Sequence, residues 1–174
     1  RLNAIKRIDL LIEVQKMLCD QHGHVTFNLL VIGDGDQKDN LICLTEIYGL
    51  RKNVKFTGAI YDESLNANYL MYSDLCVTPG EVGLTAIHAL SYGTPVISHN
   101  NLNIQMPEVE AVIEGKTGAL YEYESTDALS KCIEDWLKKY PVKTIPIVEN
   151  CWKVIDLFYN PEYQAKIFEE TLVK

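Results

Sequence analysis

Apolar residues recur along this chain in two rhythms, and the changes of rhythm mark the elements. Ile8, Leu11, Val14 and Leu18 stand at helical spacing, so the pattern predicts a helix over residues 4–22. The run from Val25 to Ile32 is short and apolar and stops at Gly33-Asp34-Gly35, which predicts a buried strand followed by a turn. The alternation continues with helix 38–48, strand 54–57, helix 63–72, strand 74–78, helix 84–92, strand 95–98, a short helix 107–114 and strand 117–121. Gly49, Gly58, Pro79-Gly80 and Gly93 punctuate the ends. Beyond that the pattern is helical only. Leu129, Cys132, Ile133, Trp136 and Leu137 form one apolar face, which Ser125 or Thr126 can cap. A second tail helix is expected over 146–158. Asn160-Pro161-Glu162 supplies the cap, first-turn proline and acid that start a third.

Alternating strands and helices imply an α/β, Rossmann-like fold: a parallel sheet with helices on both faces. The chain reads as one domain, residues 1–174, with a helical tail over about 126–174. Such sheets bind ligands beyond the carboxyl ends of their strands. That selects the loops 33–36, 58–62, 79–84 and 99–105. The pattern also asks for a strand ahead of Arg1. The chain opens on Arg1 rather than Met, so the first strand is expected to lie outside this piece.

Composition narrows the function classes. The formal net charge of −8 sets nucleic-acid binding aside, while leaving room for a small basic pocket that takes a phosphate. Apolar residues are 47% of 174 and no run reaches a membrane span, so the expectation is a globular, cytoplasmic domain. The five cysteines are odd in number, widely spaced and form no C-x-x-C pair, which argues for reduced, mostly buried thiols and against a zinc site.

Three features on the selected loops carry candidate chemistry. Arg1 and Lys6 precede the first helix; alone they are as well read as two solvated cations. Gly33-Asp34-Gly35 lets the backbone turn sharply and a ligand come close. Pro79-Gly80-Glu81-Val82-Gly83-Leu84-Thr85 leads into a helix, where free N–H groups beside a glycine make an anion site, or a plain loop.

In sequence order, these segments resemble a known family. They are Arg1-Leu2 with Lys6, Val31 to Gly35, Val54 to Gly58, Asp74 to Pro79, Gly83-Leu84-Thr85, Tyr92 to Ile97 and Glu110-x4-Gly115-x2-Gly118. Together they are similar to the C-terminal domain of retaining, family-four glycosyltransferases of the GT-B fold, from residue 1 to about 135. The resemblance implies a domain that binds a nucleotide-diphosphate sugar, without cofactor or metal, while an N-terminal domain holds the acceptor. It implies that Arg1 and Lys6 grip the donor diphosphate, that backbone groups near Ala59 and Ile60 hold the base, and that Gly83, Leu84 and Thr85 face phosphates and sugar. Gly33 belongs to the turn beside them, and Glu110 follows the donor loop without a fixed role. Asp34-Gly35-Asp36 has the spacing of a metal-binding Asp pair, but its place in the glycine turn argues for a backbone role.

The chain also departs from that family. The usual Glu-x7-Glu would fall on Gly80 and His88, with Glu81 one residue late. Either Glu81 and His88 replace the two acids, His88 on the ribose, or the site is degraded. His88 can equally be a packed helix residue. His99-Asn100-Asn101, then an insert through Gln105-Met106-Pro107, replaces the usual glycine pair, in a loop polar enough to bind sugar or simply to be wet. Tyr61, Tyr69 and Tyr72 can line the base pocket, though amphipathic packing is favoured; Trp136 and Trp152 are expected in the core. The rival readings are an epimerase of the same fold and a non-catalytic binding domain. An unrelated dinucleotide-binding protein is disfavoured because no G-x-G-x-x-G follows a strand. The resemblance points to bacterial surface-polysaccharide synthesis, with peripheral attachment to the inner membrane face through the absent domain.

Overall fold

A computed structural model describes residues 1–24 and 26–172. Among them are five strands, β1 (Leu29–Ile32), β2 (Val54–Gly58), β3 (Cys76–Thr78), β4 (Val96–His99) and β5 (Gly118–Tyr121). The helices are α1 (Ile8–His22), α2 (Lys38–Ile47), α3 (Glu63–Tyr72), α4 (Leu84–Ser91), α5 (Thr126–Lys139), α6 (Ile145–Phe158) and α7 (Pro161–Leu172), with 3-10 turns at Ala4–Lys6 and Pro107–Ala111. The fold is the expected α/β arrangement of parallel strands and covering helices.

The strands form two ladders, β1–β2 and β3–β4–β5, and every pair is parallel. The first six residues bridge the ladders at their carboxyl ends. Leu2 N–H donates to the Asp34 carbonyl at 2.9 Å and Gln37 N–H to the Leu2 carbonyl at 3.1 Å, which ties the segment to the turn after β1. Gly80 N–H donates to the Lys6 carbonyl at 3.1 Å and Glu81 N–H to that of Ile5 at 3.4 Å, which ties it to the loop after β3. Two cores follow this division. Leu90, Val96, Ile97, Leu129 and Ile133 anchor the larger one; Leu2, Ile12, Val31, Leu41, Leu50 and Val54 make the smaller. Ser125 caps α5 as expected, its side chain accepting from Ala128 N–H.

Several expectations change. The helix read over 4–22 breaks at Arg7, which adopts φ 49°, a left-handed conformation that separates the 3-10 turn from α1. The first strand is limited to Leu29–Ile32, and Val25 lies outside the described residues. The helix expected over 107–114 is a 3-10 turn ending at Ala111. Trp136 is buried, but Trp152 is 45% exposed, because α6 buries the stripe Ile147, Cys151 and Val154 and Trp152 falls beside it. Tyr61, ahead of α3, and Tyr72, at the end of a helix that buries no residue, are exposed, and Cys43 is an exposed thiol. Among the described residues no helix is long and apolar enough to cross a membrane.

Candidate functional site

The bridging segment and the loop before α4 meet so closely that side chains are excluded between them. A Cβ on Gly80 would stand 1.8 Å from the Ile5 carbonyl oxygen, and one on Gly35 would stand 2.2 Å from that of Leu2. The backbone of Ile5-Lys6 thus fills the space that a larger residue at position 80, where the resemblance expects an acid, would need. At Gly83, φ 53° and ψ −156° turn the chain into α4, a conformation that favours glycine.

Lys6 is fixed by this contact. Its Nζ donates to the Glu81 carbonyl at 2.5 Å and lies 3.8 Å from the place of a Gly83 Cβ. The helix that starts there has no side-chain cap, and Leu84 and Thr85 are exposed. A helix start carries partial positive charge on N–H groups without intrahelical acceptors. An ammonium and an open helix N-terminus thus share one spot, an arrangement suited to a multiply charged anion.

The other loops surround it. Arg1 is exposed beside Leu2 at the carboxyl end of β1. Gly33 N–H donates to the Gly58 carbonyl at 2.9 Å, tying the first turn to the loop that carries Ala59 and Ile60. Ala59 is exposed; the Ile60 carbonyl accepts from Asn66 Nδ2 at 3.1 Å. The Asp34 carboxylate accepts from Lys38 Nζ at 2.7 Å and from Gly35 N–H at 2.8 Å, and chiefly the Lys38 hydrogen bond holds its pKa below the usual carboxylate range. Asp34 is thus engaged in shaping its own turn.

Behind Glu81 lies His99, wholly buried at the end of β4. Its Nδ1 accepts from Asn101 N–H at 3.2 Å, its ring packs on Tyr123 with centroids 4.6 Å apart, and its Nε2 is buried without a protein partner. Burial holds its pKa below the ordinary value, opposed by the negative charge of Glu81. Gln105 clamps the loop. Its Oε1 accepts from Val82 N–H at 2.7 Å and Met106 N–H at 3.0 Å, while its Nε2 donates to Ser98 Oγ at 3.0 Å. The inserted loop is therefore anchored to the start of α4 rather than merely wet.

His88 is half-buried on the face of α4 that meets α3, where it donates from Nε2 to Glu63 Oε1 at 2.7 Å. Glu110 is exposed on the 3-10 turn, where its charge adds to burial in raising the pKa of Tyr159 at the end of α6. The structure thus gathers Lys6, Glu81, Gly83, Leu84 and Thr85, with Arg1, Gly33, Ala59 and Ile60 on adjoining loops; His88 turns to α3 and Glu110 to α6. Glu63, Tyr92, His99 and Gln105 had not been singled out for their roles. The departures at positions 88 and 99 were the signal that could have led to them. A cleft of about 360 Å³ between β5 and α5, lined by Leu120, Lys131, Cys132 and Trp136, lies at the outer edge of the sheet, away from these loops.

Known proteins share this architecture. An uncharacterized glycosyltransferase of Methanocaldococcus jannaschii is 31% identical over 100 residues, which are 56% of this chain and 25% of that protein. A variant of S. aureus TarM, solved with fondaparinux, α-GlcNAc-glycerol and UDP, superposes with a TM-score of 0.80 at 23% identity over 99% of this chain and 33% of its own. Sucrose-phosphate synthase of Thermosynechococcus elongatus superposes with a TM-score of 0.78 at 22% identity, over 99% of this chain and 44% of its own. The chain thus spans between a quarter and under half of these proteins. Its fold is that of their Rossmann-like domain. With residues 1–147 matching the family's pattern, the chain belongs to the glycosyl transferases group 1 family.

Proposed function

We propose that this chain is the donor-binding half of a glycosyltransferase that moves a sugar from a nucleotide-diphosphate sugar to an acceptor. The observation that carries this reading is the Lys6 ammonium, 3.8 Å from a Gly83 Cβ position at the uncapped start of α4. When the bond from anomeric carbon to diphosphate breaks, negative charge grows on the leaving group. Lys6, Arg1 and the N–H groups of Gly83, Leu84 and Thr85 stabilise that charge without a metal, and a preorganised donor in such a role is worth about 3 kcal/mol. The UDP held by TarM is a ligand of the expected kind. In this reading Ala59 and Ile60 hold the base, the sugar keeps its anomeric configuration, and a preceding domain holds the acceptor. The setting that fits is surface-polysaccharide synthesis on the cytoplasmic side of a bacterial membrane.

The test is a screen of nucleotide-diphosphate sugars with the full-length enzyme, with product stereochemistry read by NMR and a chelator arm. Transfer with retention that survives the chelator is the expected result; loss that Mg²⁺ restores would contradict the metal-free reading. Donor binding without transfer would make this a non-catalytic domain, and interconversion of the donor sugar without acceptor an epimerase. The 174-residue chain alone should bind nucleoside diphosphates and transfer nothing, because an acceptor positioned against the anomeric carbon supplies much of the acceleration.

A further inference from the structure

His88 stands where the family's ribose-binding acid is expected, and its partner is itself an acid. His88 Nε2 and the Tyr92 hydroxyl each donate to Glu63 Oε1 at 2.7 Å, and the two rings pack edge to face with centroids 5.4 Å apart. Both hydrogen bonds fall on one carboxylate oxygen. The Glu63 side chain is 61% exposed, and among the described residues neither His88 nor Tyr92 engages its Oε2. Glu63 opens α3 directly after the loop 58–62, and Asp62 fixes that helix start by accepting Leu65 N–H at 3.1 Å.

A nucleotide dictates what this place must meet. Its ribose joins the base to the diphosphate. With the base on the loop of Ala59 and Ile60 and the diphosphate at Gly83 to Thr85, the ribose passes between the start of α3 and the first turns of α4. A ribose diol offers two O–H donors, and an ionised carboxylate, which only accepts, is the matching group. An imidazole whose Nε2 is committed to Glu63 has one nitrogen left and cannot grip a diol at two points.

We propose that Glu63 is the carboxylate that recognises the ribose hydroxyls of the donor nucleotide, with His88 and Tyr92 as positioning residues that aim it. The acid missing from α4 is supplied from α3, and His88 is the residue that recruits it. The hydrogen bond from Tyr92 and then that from His88 hold the Glu63 pKa below the usual range, which keeps it an acceptor. This inference rests on the donor-site reading above.

The test uses the full-length protein and calorimetry. UDP, CDP, ADP and GDP are compared, and the tightest is then set against its 2′-deoxy counterpart. Wild type should favour the ribose form about tenfold, the effect of one charge-assisted hydrogen bond. Glu63→Gln should lose most of that preference while keeping its affinity for the deoxy form, with an unchanged melting temperature. His88→Ala and Tyr92→Phe should each lose part of it. Full wild-type preference in Glu63→Gln overturns this inference and leaves the donor site standing. Failure of all four diphosphates to bind wild type overturns the donor site itself, and this inference with it.

Discussion

Every residue of β4 is buried, whereas β1 and β2 bury one residue each. The same contrast holds in the cores: the β3–β4–β5 ladder packs against α1, α4, α5 and α6, while the β1–β2 ladder rests on Leu2, Ile12, Leu41 and Leu50. Yet the candidate site draws on both. The deep half supplies the start of α4 and the anchored loop 99–105; the shallow half supplies Gly33 and the loop 58–62. Lys6 belongs to the seam, a segment held by backbone hydrogen bonds to each half. The proposed anion site depends on how two unequal halves are stitched, by backbone hydrogen bonds to each half and by the Leu2 side chain in the smaller core.

The largest effect should come from the cation on the seam. Lys6→Ala in the full-length enzyme is expected to lower kcat on the order of a hundredfold and to weaken donor binding less, because the extra diphosphate charge appears mainly in the transition state. A rise in KM with kcat unchanged would show that Lys6 contributes equally to both states.

Next come two glycines at close backbone approaches, Gly80 against the seam and Gly118 within the deep half. A Cβ at Gly80 would meet the Ile5 carbonyl oxygen at 1.8 Å, and one at Gly118 would meet that of Val96 at 1.7 Å. Alanine at either position should cost about 2 to 3 kcal/mol in denaturant unfolding, the range of overpacked sites. Only Gly80→Ala should also weaken nucleoside diphosphate binding by the folded fraction, because only it displaces Lys6. Gly80→Glu, which restores the residue common in the family, should abolish binding rather than improve it. Stronger binding in that variant would refute the packing account of Gly80.

These contrasts show what was legible in the sequence. Periodicity located every strand and helix to within a few residues, because each is decided by its own window. It could not show that β1 and β3 lie in separate ladders, since pairing is decided between distant segments. Arg7 was lost inside a continuous helical pattern, because a left-handed residue leaves the apolar spacing around it unchanged. In the candidate site, the glycine loops and Lys6 were readable from order and spacing. Gly80 read as a missing acid, and only the approach of Ile5 reveals it as a contact. Glu63 was invisible because an acid in the first turn of a helix is common for the helix dipole alone.

A smaller effect should follow from the clamp. Gln105→Ala removes the acceptor of Val82 N–H and Met106 N–H and the donor to Ser98. A loss of about 1 to 2 kcal/mol is expected from the unpaired groups. Donor affinity should fall with it, since Val82 precedes the helix start. Gln105→Glu keeps the acceptor and should recover most of the affinity; no recovery would assign the role to the Ser98 contact instead.

The smallest expected effect concerns pH and falls on the deep half alone. Among the described residues, His99 is the one fully buried side chain that ordinarily changes charge near neutral pH. Burial sets its folded-state pKa below the ordinary value of about 6.5. Between those two values the unfolded chain binds more protons than the folded one, so stability falls as pH drops below about 6.5 and is whole above it. His99→Phe keeps a ring against Tyr123 and removes the titration. From pH 7 to pH 5 the wild type should therefore lose more unfolding free energy than His99→Phe. Hydrogen exchange should show that additional loss at β4, where His99 sits, before it appears at β1. If wild type and variant lose stability in parallel, the buried imidazole is not the source, and the deep half owes its acid sensitivity to its surface carboxylates.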